Sequence, residues 1–361
     1  GDILYGKLRP YLDKAALAEW DGVCSTDILV LIPKEVNSLF GAYLMHSSYV
    51  LQHAIATTTG VNHPRTSWKA LAKGFIPLPP LPEQRAIAHV LRAVQRAKEA
   101  TDRVIAAARE LKKSLMRHLF TYGPVPVGMV VGAQRAAPLR ETEIGPLPAH
   151  WRVVKLGEVA EVRGGKRLPK GHKFAETRTP YPYLRVTDFR NGSIDTQNLK
   201  YLTPEDYEIL KRYTISTRDV YISIAGTIGL VGTVPPELDG ANLTENAAKL
   251  VIIDRHHLLQ TYLVYALMSE RCQSQIHQRS TKTSQPKLAL SRIRQIRLPL
   301  PPLDEQREIA RLLQAVDEKI RAEEGRKAAL EALFQTLLHD LMTARRRLPP
   351  EFVARFAGKH F

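Results

Sequence analysis

Cysteine is nearly missing from this chain: Cys24 and Cys272 are the only two in 361 residues. They show no C-x-x-C spacing and follow no secretory segment, which excludes a disulfide scaffold and predicts a reducing, cytoplasmic compartment. Long apolar runs are missing too. No stretch approaches the roughly 18 consecutive apolar residues that cross a bilayer, so the chain is expected to be soluble. Acidic charge is in deficit, with 36 Asp+Glu against 52 Lys+Arg and a net charge of +16; that balance attracts polyanions such as nucleic acid or acidic membrane. Catalytic signatures are absent as well. Amino-group methyl transfer would use N-P-P-Y or D-P-P-F, and neither occurs. A phosphate loop would need G-x-x-x-x-G-K-[ST], yet Gly6-Lys7, Gly165-Lys166 and Gly358-Lys359 are each followed by the wrong residue. There is no H-E-x-x-H pair and no G-x-S-x-G elbow. Adjacent His256 and His257 point apart at a strand-to-helix junction, and Asp304-Glu305 suits a helix N-terminus rather than an acid/base pair. No catalytic residue, no metal site and no cofactor are expected in this chain.

What is present is an internal repeat. Residues 77–85 read PLPPLPEQR and residues 299–307 read PLPPLDEQR, and extending to Val94 and Val316 keeps 13 of 18 positions identical. The same offset pairs Thr59 with Thr281 and Pro64-Arg65 with Pro286-Lys287, and a small shift pairs Asp2 with Asp219. Each copy is a globular part, a proline-rich stretch and a helix. The prolines end any strand and read as a stiff hinge before a Glu-Gln-Arg helical start. The second globular part begins near Trp151, so its first residues have no counterpart ahead of Asp2, and the first copy reads as incomplete.

Apolar residues at Ile87, Leu91, Val94, Ile105, Ala108, Leu115 and Leu119 alternate steps of four and three, with polar interruptions at Lys98, Thr101 and Lys112. Ile309, Leu313, Val316, Ile320, Leu330, Phe334, Leu337 and Leu341 do the same in the second copy. Two helices that long, each with one narrow seam, need partners along their whole length. Residues 83–122 carry a net +5 and residues 303–344 a net −3, so they are expected to pair with each other. The expected fold is α+β: two β-rich domains joined by two long helices in an antiparallel coiled coil. The boundaries read as 1–82 for the first domain with its N-terminal part missing, 83–122 for the first helix, and 123–150 for a linker. The second domain covers 151–302, the second helix 303–344, and a basic tail 345–361.

Polar, basic and aromatic chemistry then falls on loops. Arg279, Ser280, Thr281, Lys282, Thr283, Gln285 and Lys287 align with a loop bearing Thr58, Thr59, Asn62, His63 and Arg65. Hydroxyls and cations there suit phosphate oxygens, while Gln285, Asn62, Arg65 or Lys287 could reach base edges. A second cluster, Arg163, Lys166, Arg167, Lys170 and Lys173, sits among glycines expected to let backbone amides approach phosphate. Arg185, Arg190 and Asn191 form a third, the Ala225–Gly229 turn could present amides, and Lys7 and Arg9 complete the candidate DNA-binding set.

Paired variable domains, each followed by an L-P-P-L-x-E-Q-R stretch and a long helix, resemble the specificity subunit of type I restriction-modification enzymes. Glu143–Trp151 resembles the lead-in to the second target-recognition domain, and Gly1–Leu12 a strand and turn inside the first. The resemblance implies that each domain reads one half of a bipartite double-stranded DNA target and that the helices set the spacing. It further implies two modification (methyltransferase) subunits holding S-adenosylmethionine, and restriction/translocase subunits using ATP and Mg. The alternative is a truncated or orphan specificity protein acting as a non-reading adaptor or dimerising scaffold.

Overall fold

Ile3 and Tyr5 alternate with half-buried or backbone-only positions and put one face of strand β1 (Ile3–Gly6) into a core. In a computed structural model that describes residues 1–124, 138–281 and 286–358, the chain divides into two units, residues 1–107 with 320–361, and residues 108–319. The division passes through both long helices, Leu81–Tyr122 and Leu303–Met342.

In the first unit β1 lies between β2 (Ala15–Leu17) and β3 (Ile28–Leu31), antiparallel to both, with Ile3 opposite Leu31 and Tyr5 opposite Leu29. Helices Ser38–Leu44 and Ser48–Ala56 start where the Asn37 and Ser47 side chains accept the amides of Phe40 and Val50. Their apolar faces cover the sheet through Met45, Val50 and Ala54. Phe40, Tyr43 and Leu44 meet Ile87 and Leu91 of the first long helix and Leu338 and Leu341 of the second.

The second unit opens with a hairpin of β4 (Leu139–Arg140) and β5 (Leu147–Pro148). Strand β6 (Arg152–Lys155) leads through a single helical turn to β7 (Ala160–Gly164), followed by β8 (Pro182–Leu184), β9 (Lys200–Tyr201) and β10 (Thr214–Ile215). Then come β11 (Val220–Ser223), β12 (Val231–Thr233), β13 (Ala241–Leu243), β14 (Ala247–Ile252) and β15 (Arg297–Leu300). They form a β12-β11-β14-β7 sheet, a β10-β13-β8-β9 sheet and a β15-β6 pair.

The repeat is structural as well as sequential. β2-β1-β3 corresponds to β12-β11-β14, and Ser38–Leu44, Ser48–Ala56 and Trp68–Leu71 correspond to Gln260–Met268, Glu270–Arg279 and Leu290–Ile293. Ser269 caps its helix through the Cys272 amide just as Ser47 does through Val50. β6 and β7 have no counterpart among the described residues of the first unit.

The two long helices run antiparallel in each unit. In the first, Lys98 Nζ bonds Glu331 at 2.6 Å and, one turn on, Asp102 bonds Lys327 at 2.6 Å. In the second, Lys112 bonds Asp317 at 2.5 Å in the same register. Lys98 and Lys112, expected as interruptions, occupy seam positions: their ammonium groups lie over the Phe334 and Tyr265 rings and also reach acidic partners. Thr101 is buried and returns its hydroxyl to the Ala97 carbonyl at 2.9 Å.

The proline stretch is a fixed joint rather than a hinge. Gln84 donates to the Pro79 carbonyl at 2.8 Å and accepts the Asn37 amide at 2.9 Å. Gln306 does the same with Pro301 and Leu259, both at 2.9 Å. Both glutamines are buried, so each locks the start of a long helix to the entry of a domain helix. The neighbouring glutamates serve the same end: Glu83 takes Arg347, and Glu305 accepts the Trp151 indole N–H at 2.8 Å.

Candidate nucleic-acid interface

Two backbone bonds recur beneath the paired loops, one set in each unit. In the first, Thr59 and Arg65 exchange N–H···O bonds of 2.9 Å, the Arg9 amide donates to Pro64 at 2.7 Å, and the Thr66 amide donates to Lys7 at 3.1 Å. In the second, Thr281 donates to Lys287 at 3.0 Å and Leu288 to Ile224 at 2.9 Å, while Ala225 bridges Lys287. A loop stem is thereby pinned beside the turn that follows the central strand, β1 or β11. In the second unit that turn is shaped by Ser223, which donates to the Thr227 carbonyl at 2.6 Å and accepts the Leu230 amide at 2.8 Å. Gly226 and Gly229 sit at φ 73° and 89° there, a backbone region that favours glycine.

The side chains on these loops differ. Asn62 and His63 are exposed at the tip of the first loop. Arg65 instead holds Asp27 through two bonds of 2.8 and 3.2 Å. The Arg65 hydrogen bond holds the Asp27 carboxyl below its usual range, and Asp27 in turn raises the guanidinium. Arg65 thus braces the loop against Asp27, whereas its counterpart Lys287 is exposed with no ion pair among the described residues. Lys7 is half-buried beside Asp27, Arg9 is exposed in a left-handed conformation, and the Thr58 hydroxyl returns to Ala54 at 2.8 Å. Ser280 donates to His277 at 2.7 Å, and Arg279 donates to Gln275 at 3.5 Å. Lys282, Thr283 and Gln285 lie outside the described residues.

The basic run is anchored elsewhere, on β13 and β14. The amides of Gly165 and Lys166 donate to Ala247 and Leu243 at 3.1 and 2.9 Å. A Cβ on Gly165 would lie 2.1 Å from the Thr244 carbonyl oxygen. The glycine is needed for close strand contact, and these two amides are spent inside the domain, which corrects the expectation that they face phosphate. The cations divide into two groups. Arg163 pairs with Glu161, and Arg167 with Glu245 at 3.4 Å. Lys166, Lys170 and Lys173 are exposed and carry no ion pair among the described residues. Beneath them the Tyr183 hydroxyl donates to the Lys166 carbonyl at 2.9 Å, and burial pushes that phenol up.

Arg185 and Arg190 are likewise engaged. Arg185 bonds buried Asp188 at 2.7 Å and the Asn198 carbonyl at 2.8 Å, and Arg190 bonds Asp195 at 2.7 Å. Asn191 is exposed beside β12, accepting the Val231 amide at 3.5 Å. Sequence reasoning missed two supports: Asp27, and Arg292, which donates to the Arg279 carbonyl at 2.6 Å where the second loop begins. Only the position of Arg292, shortly beyond the loop, could have drawn attention to it. Among the described residues no group of three or more His, Cys, Asp or Glu is placed to hold a metal, and no helix is long and apolar enough to cross a membrane.

A family model described as the type I restriction modification DNA specificity domain matches residues 11–107 and 148–332, one segment per copy of the repeat. The chain belongs to this family. Specificity subunits are the non-catalytic DNA-recognition components of type I restriction-modification systems, and their sequence-specific recognition directs the complex. The chain is 26% identical over 336 residues to the type I restriction enzyme MjaVIII specificity subunit of Methanocaldococcus jannaschii, covering 91% of this chain and 75% of that one. It is 22% identical over 264 residues to the EcoBI specificity subunit of Escherichia coli, covering 71% and 54%. In fold it is similar to a chain solved in work on assembly and conformational transition of a type I R-M system, with TM-score 0.58, 24% identity, and 94% and 81% coverage. The S subunit from M. genitalium gives TM-score 0.57 at 18% identity, with 94% and 82% coverage.

Proposed function

We propose that the specificity subunit reads a bipartite double-stranded DNA target, one half through the 57–65 loop and the other through the 279–287 loop. The observation that carries this reading is the shared ladder beneath the two loops. Thr59–Arg65 and Thr281–Lys287 are pinned beside equivalent turns by equivalent bonds, while the residues at their tips differ. A common scaffold with different tips is what two readers of different half-sites require. Lys166, Lys170 and Lys173 hold phosphates without reading sequence, and Lys287 with Gln285 contacts base edges. Two modification subunits carrying S-adenosylmethionine, and restriction subunits using ATP and Mg, act on the DNA so chosen, in the cytoplasm; this chain contributes no cofactor of its own.

The test is binding of the chain, assembled with its modification subunits, to the cognate site and to sites scrambled in one half at a time. Lys287→Ala is expected to relax discrimination in one half only, by about 1–3 kcal/mol. Asn62→Ala is expected to do so in the other half. If scrambling either half leaves affinity unchanged, the chain is a non-reading adaptor and the proposal fails.

A further inference from the structure

A second turn recurs beside the reading loops, and it ends on a different side chain in each unit. In the first unit it is residues 25–27, ahead of β3, and in the second it is residues 244–246, ahead of β14. The Ser25 hydroxyl accepts the Asp27 amide at 3.3 Å, and the Thr244 hydroxyl accepts the Asn246 amide at 3.4 Å. The Asp27 carbonyl accepts the Lys7 amide at 2.9 Å, and the Asn246 carbonyl accepts the Ile224 amide at 2.8 Å. Asn246 is therefore the counterpart of Asp27, as Lys287 is of Arg65.

The two side chains are used differently. The Asp27 carboxylate is engaged by Arg65 through both oxygens. A neutral amide cannot form that ion pair, and the half-buried Asn246 side chain makes no hydrogen bond among the described residues. Nor does the turn need it. An asparagine in a turn commonly closes the backbone with its own side chain, but here the Thr244 hydroxyl does so, while also donating to Glu245 at 3.0 Å. Glu245 in turn holds Arg167 at 3.4 Å. Two elements of the candidate interface converge on this residue. The amides of Gly165 and Lys166, in the basic run, bond Ala247 and Leu243 on either side of it. Ala225 donates to the Asn246 carbonyl at 3.3 Å and bridges Lys287 of the reading loop.

We propose that Asn246 is a further specificity-determining residue of the second domain, reading an adenine of its half-site through the side-chain amide. The assignment rests on the reading of the 279–287 loop as a base-contacting element. An amide presents a donor and an acceptor together and so matches the N6 donor and N7 acceptor of adenine in the major groove, whereas a lysine offers donors alone. Asp27, an acceptor already engaged by Arg65, has no such pair to offer.

The chain, assembled with its modification subunits, is titrated with the cognate duplex and with duplexes changed at one base pair at a time across both halves. Asn246→Ala is expected to lose discrimination at a single A·T pair of the second half, by about 5- to 150-fold. Discrimination at every other pair and the melting temperature should stay as they are. 7-Deazaadenine at that pair removes the N7 acceptor, and should weaken binding by the unsubstituted chain but not by the variant. Asn246→Asp keeps the shape of the side chain and removes its donor, so it should lose the same discrimination even if the alanine variant fails to fold. Unchanged discrimination in the variants would overturn the assignment, as would an equal loss at every pair, which marks a structural role. Loss at a pair without adenine, or indifference of the unsubstituted chain to 7-deazaadenine, would overturn it too. If the unsubstituted chain discriminates in neither half, half-site reading itself fails and takes this assignment with it. If it discriminates and the Asn246 results alone go against expectation, the reading by the 279–287 loop stands.

Discussion

Under the proposed reading, arginines of the candidate surface hold the domain and lysines are left to hold DNA. Arg65, Arg163, Arg185 and Arg190 each face a carboxylate, whereas Lys166, Lys170 and Lys173 face solvent. A planar guanidinium suits a fixed two-point pair, and a flexible ammonium suits a mobile counter-charge. Lys166→Ala and Lys170→Ala should therefore weaken binding to all DNA alike and lower the salt slope by about 0.9 for each phosphate no longer neutralised, read from anisotropy titrations at several salt concentrations. Arg185→Ala should act on stability, because it leaves Asp188, 4% exposed, short of its partner. A drop of about 1–3 kcal/mol in urea unfolding is expected. The Asp27 carboxyl, held low by Arg65, adds stability above the usual carboxylate range and loses it as pH falls through its lowered value. Asp27→Asn should flatten the acid limb of unfolding. Burial pushes the Cys272 thiol up to about 12, while Cys24 is exposed. A thiol reagent at neutral pH should find one fast thiol in the folded chain and two in denaturant. The cations themselves are plain in the sequence, but their division is not. Arg65 meets Asp27 across 38 positions, and no local pattern announces such a partner.

At the level of elements, periodicity is the readable signal. Steps of four and three place Ile87, Leu91, Ile309 and Leu313 on seams, and the structure buries all four. Opposite net charge tells which helix pairs with which, and the pairs Lys98–Glu331 and Lys112–Asp317 give that bias a geometry. Leu91→Asp or Leu313→Asp should each cost several kcal/mol, because a carboxylate at a fully buried position has no partner. Disappearance of the cooperative melt and of modification-subunit binding is the expected readout. The proline stretch reads as a hinge in sequence and is a joint in the fold, for a physical reason. Proline announces rigidity and the end of an element, but the anchor is the neighbouring glutamine, whose second bond reaches 47 positions away. Gln84→Ala or Gln306→Ala leaves a buried amide unsatisfied and should destabilise by about 1–3 kcal/mol, measured by urea unfolding.

For the whole molecule, a net charge of +16 predicts DNA affinity that falls linearly on a log–log plot against salt, and a flat plot across a several-fold range of salt would remove the nucleic-acid reading. The repeat makes the two-domain plan legible in the sequence, because 13 identities in 18 positions require a common local structure. The division of the chain at residues 107 and 320 is not legible there. It cuts helices that look continuous in sequence, and antiparallel pairing brings the last forty or so residues back to the first domain.

That return has a consequence for how the protein is made. The second unit is one continuous stretch, 108–319, whereas the first is assembled from residues on either side of it, 1–107 and 320–361. A ribosome adds roughly 5–20 residues per second, so the first domain waits on the order of tens of seconds for Leu338, Leu341 and Arg347, which cover Ile87 and Leu91 and pair with Glu83. The first domain is therefore completed after the second. Until those residues emerge, the apolar seam of its helix is open to chaperones, proteases and other nascent copies.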